Sequence, residues 1–198
     1  MTEEFKLSNG LNCAHFQYGN QQNIAVVFSC PGQEEEKQNL PISGQTGKNL
    51  EILLELLYKD NFLNDKLEKK ELRVTNAWPE VVFAGNNSNK ITEAKLNKKE
   101  IYSESNLKRL ENELNDIHEF IICFGQKAKK AIGKLHFVDP EPSILTCCHL
   151  SLQSLNSNKQ LKKDIYGNPI KKGGGSENTK RRLTVVAKQL IYQAQRHT

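Results

Sequence analysis

The sequence predicts an α/β fold, a three-layer α/β/α sandwich in which helices cover both faces of a central four-stranded, mainly parallel sheet. Three observations predict it. Four short segments have the length of strands, and two of them are apolar throughout; helical segments separate the four, and 198 residues are enough for one well-buried core. Strands that alternate with helices favour parallel pairing, because the crossover helices then cover the sheet.

The first predicted strand, residues 24–28, reads Ile-Ala-Val-Val-Phe and is apolar throughout. An unbroken apolar run of this length is typical of a strand that is buried on both faces. Three more strands are predicted at residues 72–76, 120–124 and 143–148. The second ends at a polar pair, Thr75-Asn76, and the fourth ends just before His149.

The predicted helices lie between these strands and after them. Residues 47–58 have a broad apolar face, and two shorter helices, 107–117 and 125–135, flank the third strand. The last helix, residues 180–195, is amphipathic. Its apolar face consists of Leu183, Val186, Leu190, Ile191 and Ala194.

Composition predicts a single cytoplasmic domain, residues 1–198, that acts as a monomer. No Pro/Gly/Ser-rich linker divides the chain early, and no apolar run is long enough to span a bilayer. The segment Met1–Lys6 has an acidic pair where a signal peptide needs cations. Five cysteines, an odd number in mostly apolar surroundings, suit reduced thiols better than disulfides.

Charge is distributed unevenly, although the formal net charge is only +5. Residues 159–182 carry eight Lys and Arg against Asp164 and Glu177. We interpret residues 157–180 as a basic, flexible insertion before the last helix, because residues 173–176 read Gly-Gly-Gly-Ser. Such a segment could follow a phosphate backbone, or it could be a solvated loop without a partner.

Polar residues follow three of the predicted strands. Ser29-Cys30-Pro31-Gly32 follows the first, Asn76 ends the second, and His149-Leu150-Ser151 follows the fourth. The carboxyl ends of parallel strands meet at one edge of a sheet, where ligands collect. Glycines in the turns let backbone N–H groups approach a ligand closely. The sequence therefore predicts a ligand pocket at this edge.

The order and spacing of these segments resemble the uracil-DNA glycosylase superfamily, most closely its iron–sulfur-containing family four. That family has Gly-Glu-Ala/Gly-Pro-Gly, Pro-Phe-Val-Gly-x-x-Gly-x-x-Leu, Ile-Thr-Asn, Leu-Gly-x-x-Ala-x-x-Ala-Leu and His-Pro-Ser/Ala, in this order. The matching residues here are 28–32, 41–50, 74–76, 124–132 and 149–151. The resemblance covers roughly residues 10–156.

The resemblance implies a pocket for a base that is flipped out of DNA. Asn76 would bind the Watson–Crick edge of that base, and His149 would donate a hydrogen bond to the pyrimidine O2 as the glycosidic bond breaks. Glu35 would approach the base from the acidic loop, and backbone N–H groups near Cys30 and Gly32 would complete the recognition.

Several residues depart from the family pattern. Ser29 stands where family four has a Glu that positions the attacking water, and Cys30 stands where other branches have Asp or Asn. One of Glu34, Glu35 and Glu36 could replace the lost carboxylate, and without it hydrolysis would be slower but not necessarily abolished. Ile42 replaces a Phe that stacks on uracil. Only one of the four cluster cysteines, Cys13, has a counterpart, so no cofactor is expected.

The preferred function is a DNA glycosylase for a damaged or modified pyrimidine. A bulky modified cytosine of the kind some phages carry is one candidate substrate, and it would place the protein in antiviral defence. A binding module without activity and an enzyme of free nucleotides are the alternatives. Leu152 or Leu155 could wedge into the base stack, or both could pack under the last helix. The residues expected to contact DNA are Ser43, Ser151, Leu152, Asn156, Lys159, Lys162, Lys163, Lys171 and Lys172.

Overall fold

The computed structural model describes residues 13–83, 98–173 and 175–196. The predicted domain also included residues 1–12, 84–97, 174, 197 and 198, which lie outside the described residues, as does the acidic pair near the start of the chain. No described helix is long and apolar enough to cross a membrane.

Four strands and seven α-helices form the described part of the chain. The strands are β1 (Ile24–Phe28), β2 (Arg73–Asn76), β3 (Phe120–Phe124) and β4 (Ser143–Cys147). The helices are α1 (Gln33–Gln38), α2 (Gln45–Lys59), α3 (Lys98–Ile101), α4 (Glu104–Leu114), α5 (Gln126–Ile132), α6 (Leu152–Ser157) and α7 (Gly175–Ala194). A short 3₁₀ turn, Lys69–Glu71, lies between α2 and β2, and another, Lys159–Leu161, lies between α6 and α7.

The sheet is parallel throughout, with the strand order β2-β1-β3-β4. Val27 of β1 is in register with Thr75 of β2 on one side and with Cys123 of β3 on the other. The chain leaves β1 toward β2 and later returns to the opposite side of β1 as β3. A crevice at such a reversal, between the carboxyl ends of β1 and β3, is where open α/β sheets bind ligands.

Alternate residues of β1 pack into two hydrophobic cores. Val26 and Phe28 face a core that α2 and α7 cover, whereas Ala25 and Val27 face a second core that includes residues of α4 and α5. This alternation follows from the two-residue period of a strand. The two covered faces confirm the predicted α/β/α sandwich.

The boundaries of several helices were wrong. Helix α4 begins three residues earlier than predicted, because Ser103 caps it by accepting a hydrogen bond from the Asn106 backbone N–H. Helix α7 begins at Gly175, five residues before the predicted start. The acidic loop after β1 contains helix α1, and the segment after His149 contains α6.

The basic insertion is shorter than predicted and has a defined conformation from Asn158 to Gly173. Lys163 and Pro169 form an antiparallel bridge, and the Ile170 N–H donates to the Lys162 carbonyl at 2.8 Å. Ile170 is buried against the rest of the chain. We call residues 162–172 the basic hairpin; its flexibility stays a prediction, and Gly174 lies outside the described residues.

Candidate active site

Six of the predicted site residues line one cavity of about 170 Å³. The cavity lies at the carboxyl ends of β1 and β2, and its volume is below the roughly 300–1,000 Å³ of pockets for drug-sized ligands, so it suits a single small ring. The predicted residues that line it are Cys30, Gly32, Glu35, Ile42, Asn76 and His149. Phe28, Pro31, Thr46 and Val82 complete the wall.

A larger cavity of about 1,040 Å³ adjoins the small one, since Val82 and His149 line both. Ser29 lines only the larger cavity of these two and is almost completely buried. A Cβ atom placed on Gly125, which follows β3, would lie 3.6 Å from Ser29 Oγ and 3.7 Å from His149 Cβ. The ends of β1, β3 and β4 therefore meet where the two cavities join.

His149 is held in one orientation by the loop that follows β4. Its Nδ1 atom accepts the Ser151 backbone N–H at 3.1 Å, so the neutral ring carries its proton on Nε2 and can donate a hydrogen bond there. The Phe28 ring packs edge-on against the imidazole, with 5.6 Å between centroids. The buried Asn49 side chain of α2 donates to the Leu150 carbonyl at 2.7 Å, which fixes the loop.

Asn76 is buried at the end of β2 and is oriented by two backbone contacts. Its Nδ2 atom donates to the His15 carbonyl at 3.1 Å, and its own carbonyl accepts from the Arg109 guanidinium at 2.9 Å. A carboxamide held through its nitrogen keeps a fixed orientation of its oxygen, which is an acceptor. Asn76 is thus set to accept a hydrogen bond from the edge of a ring.

A buried polar network lies behind Asn76. Glu113 of α4 accepts hydrogen bonds from the Thr75 hydroxyl and from Arg109, and it lies 3.4 Å from His15 Nε2. Burial raises the pKa of Glu113, but the hydrogen bond from His15, the charge of Arg109 and the bonds from Thr75 and Arg109 outweigh it and lower the pKa below its usual value. Glu113 therefore stays ionised at neutral pH.

Arg73 anchors β2 to the end of α4. It is 2% exposed, and its guanidinium forms a two-pronged pair with Asp116 at 2.7 and 2.9 Å. It also donates to the Tyr18 and Glu113 carbonyls. These bonds satisfy a charge that would be costly to bury alone.

Glu35 lines the small cavity, but backbone N–H groups donate hydrogen bonds to both of its carboxylate oxygens. One oxygen accepts the Gly32 N–H at 3.0 Å and the other accepts the Ser43 N–H at 2.9 Å, with Gly44 N–H at 3.5 Å. Glu35 thereby ties the turn after β1 to the turn before α2. This arrangement suits a residue that shapes the pocket better than one that removes a proton from water.

Replacing Glu35 with glutamine is expected to lower the free energy of unfolding by about 1–3 kcal/mol, because an amide cannot accept backbone N–H groups on both sides. The matched control is Glu34→Gln, since Glu34 is exposed and pairs only with Lys37 in the salt bridges of the described residues. Urea unfolding measures both variants. A Glu35→Gln protein as stable as Glu34→Gln would contradict this structural role of Glu35.

Ile42 has an unusual backbone conformation for a β-branched residue, with φ at 46°. Its carbonyl packs so closely on helix α2 that a Cβ atom on Gly47 would lie 1.8 Å from it. Only glycine fits at position 47. The aliphatic Ile42 side chain forms part of the small cavity and offers a ring no flat aromatic surface.

The described residues do not fit an iron–sulfur cluster. None of their His, Cys, Asp and Glu side chains form a group of three or more that could hold a metal. Cys13 lies 3.3 Å from His15 Nδ1 in the segment that contacts Asn76. Burial raises the pKa of Cys123 to about 12, so that thiol stays protonated.

The two candidate wedge residues differ in exposure. Leu155 is buried in the core under α7, whereas Leu152 at the start of α6 is 41% exposed.

The two serines among the DNA-contact candidates have partners within the protein. Ser151 caps α6 by accepting the Ser154 N–H, and the Ser43 hydroxyl donates to the Leu40 carbonyl. The remaining DNA-contact candidates lie on or beside the basic hairpin, where Asn156 shares a cavity of about 450 Å³ with Lys162, Lys163 and Lys172. Lys159 and Lys171 are exposed nearby.

Sequence reasoning missed the residues that support the site. No motif specifies the residue type at Asn49, Arg73, Arg109 or Glu113. The sequence also predicts no functional role for His15. One signal was available for Arg73, since a charge inside an apolar strand needs a buried partner. No comparable signal identified Glu113, whose partner Thr75 is 38 positions away.

The model of one protein family, described as the uracil DNA glycosylase superfamily, matches residues 16–167. No curated protein matches the chain. The matched range contains every residue that lines the small and the larger cavity of the site. The cavity beneath the hairpin extends beyond it, at Pro169, Ile170, Lys172 and Arg182.

Proposed function

The chain belongs to the uracil-DNA glycosylase superfamily, and we propose that it is a DNA glycosylase that flips a damaged or modified pyrimidine out of DNA and hydrolyses its N-glycosidic bond. One observation carries the proposal most strongly: His149 stands between a cavity of one-ring size and a larger cavity that contains Ser29. In this reading the base enters the small cavity, the deoxyribose lies in the larger one, and the bond between them lies beside His149.

The base is recognised by Asn76 and by the walls of the small cavity. The fixed Asn76 oxygen accepts an N–H from the Watson–Crick edge, and the second proton of its nitrogen can serve a ring acceptor. Phe28 and Ile42 supply apolar contact. The ring is thereby separated from water and from its neighbours in the stack.

The reaction breaks the bond between C1′ and the base nitrogen, and the base leaves with the electron pair. His149 Nε2–H donates to the pyrimidine O2, where the negative charge develops. Water adds to C1′ and gives its proton to solvent, the released base anion takes a proton from solvent, and the products are the free base and an abasic site. The Ser29 hydroxyl can orient this water but cannot take its proton, so stabilisation of the leaving base supplies most of the catalysis.

The substrate is a modified or damaged pyrimidine rather than plain uracil. Ile42 offers no aromatic platform, and neither Ser29 nor Cys30 is an acid. We place a modified cytosine of phage type first among the candidates, with a role in antiviral defence; a bulky substituent on it would have to lie outside the small cavity, which has room for one ring. The protein acts in this proposal as a cytoplasmic monomer.

A binding module is the second candidate, and the absence of a carboxylate at Ser29 and Cys30 favours it. In that case the small cavity holds a flipped base and the bond stays intact. Binding and release are separable by experiment.

The test is incubation of the protein with duplexes that contain uracil, oxidised pyrimidines, 5-hydroxymethylcytosine or a sugar-bearing 5-hydroxymethylcytosine. Alkali then cleaves the strand at any abasic site. Cleavage confined to one modified base supports the glycosylase and identifies its substrate. Tight binding to one of these duplexes with no alkali-sensitive site supports the binding module.

The DNA-binding face includes five lysines that lack acidic partners. Lys159, Lys162, Lys163, Lys171 and Lys172 are exposed, and among the described residues none has a carboxylate oxygen within 4.0 Å. Some lysines elsewhere on the described surface pair with acids, as Lys59 does with Glu55 and Lys188 with Asp60, whereas residues 159–172 hold these five unpaired lysines in one short segment. Unpaired cations concentrated in one segment fit a polyanionic partner.

Changing Lys162, Lys163, Lys171 and Lys172 to glutamine is expected to weaken duplex binding and to flatten the plot of log K against log salt. Each lost phosphate contact lowers the slope by about 0.9. The charge-matched control changes Lys59, Lys70, Lys108 and Lys188, all paired with carboxylates. Fluorescence anisotropy measures the salt dependence of binding. Equal slopes for the two variants would show that the lysines of the basic hairpin do not contact the DNA phosphates.

A further inference from the structure

The tip of the basic hairpin presents apolar side chains to solvent. Tyr166 is 83% exposed, and its neighbour Ile165 is 43% exposed. The other exposed large side chains of the described residues include Tyr192 on α7, at 62%. Tyr166 differs from Tyr192 in its position, because it stands at the tip of a turn between two lysine-bearing arms.

The tip is built to hold this shape. Asp164 Oδ1 accepts the Tyr166 and Asn168 backbone N–H groups, and Oδ2 pairs with Arg181 of α7. The hydrogen bond from Arg181 lowers the pKa of Asp164 to about 2, so the carboxylate stays charged. Gly167 adopts a φ of 84°, which glycine tolerates. A side chain on such a turn loses little further freedom when it binds.

The hairpin also lies next to the helix that carries the exposed Leu152. Asn156 in the last turn of α6 lines the cavity beneath the hairpin, together with Pro169 and Ile170. Ser154 and Ser157 of the same helix line the larger cavity beside His149. Helix α6 therefore connects the site with the hairpin.

We propose that Tyr166 stacks on an unpaired nucleobase of DNA that the hairpin lysines hold by its phosphates. The inference rests on the proposed action on DNA. The phenol ring supplies a flat face that any base can contact, and Ile165 extends the apolar surface. The base has two possible sources: the partner left unpaired when a nucleotide is flipped, or a base in single-stranded DNA.

The test compares Tyr166→Ala, Tyr166→Phe and the control Tyr192→Ala with the unchanged protein. Anisotropy gives Kd for a fully paired duplex, a duplex with one unpaired base, and a single strand of the same sequence. Tyr166→Ala is expected to weaken binding roughly 5- to 100-fold wherever an unpaired base is present, as loss of one base–aromatic stack does. Tyr166→Phe and Tyr192→Ala should bind normally, and the salt slope should not change.

The two sources give different patterns. Loss confined to the duplex with one unpaired base identifies the partner of a flipped nucleotide, and loss on the single strand alone identifies single-stranded DNA. Equal binding of Tyr166→Ala and wild type on all three probes overturns the inference, and so does an equal loss on the fully paired duplex. If Tyr166→Ala weakens binding as expected but the wild-type protein releases no base, this inference stands and the glycosylase proposal fails. No DNA binding by wild type rejects both.

Discussion

Replacing His149 with alanine is expected to slow base release about 10²- to 10³-fold under single-turnover conditions, with little change in DNA affinity. The ring donates Nε2–H to the leaving base, and removal of one such donor in an enclosed site has an effect of this size. The lysines and Leu152 remain in place, so the DNA should still bind. The rate of abasic-site formation in excess enzyme measures the effect directly.

The control for this variant is His136→Ala, since His136 is exposed and lines neither cavity of the site. His149→Gln is a second variant that keeps an amide N–H near the same place and should recover part of the rate. Circular dichroism checks that the substitution in the loop after β4 has not unfolded the protein. A His149→Ala protein that releases base at the normal rate contradicts the proposed mechanism.

Replacing Arg73 with alanine is expected to lower the free energy of unfolding by about 3–5 kcal/mol, the usual cost of removing one partner of a buried ion pair. Asp116 would lose both of its guanidinium contacts, and the Tyr18 and Glu113 carbonyls would lose a donor. Urea unfolding at pH 7 measures the change.

Lys108→Ala is the comparison for Arg73→Ala, because Lys108 is exposed and its pair with Glu111 is long, at 3.5 Å. Exposed pairs contribute about 0–1 kcal/mol, so this variant should resemble wild type. An Arg73→Ala protein as stable as Lys108→Ala would show that the pair with Asp116 does not hold β2 against α4. Asn76 would then need another explanation for its fixed position.

The two central strands could be predicted closely, because β1 and β3 are short apolar runs that are buried on both faces. Residues 24–28 and 120–124 match the observed β1 and β3. Helix starts were harder to predict. The Ser103 cap depends on one side-chain hydrogen bond, and α7 begins at Gly175, although glycine's intrinsic preference is against helix.

The location of the site could also be predicted, since parallel strand ends must meet. Cys30, Asn76 and His149 line one cavity as a result. The hydrogen bonds within the site could not be predicted, because their partners come from distant parts of the chain. Glu35 accepts from Ser43, eight residues away, and the Asn76 amide donates to His15, 61 residues away. Nothing in local sequence fixes such pairs.

The most direct test of the central claim is mass spectrometry of the small molecules that the wild-type protein releases from a duplex with a single modified pyrimidine. Abasic sites are counted in the same sample by alkali cleavage. Our account predicts one free base for each abasic site, and no release from the unmodified duplex. Tight binding to modified duplexes without any free base, across the whole set of substrates, would contradict it and would leave a binding module in its place.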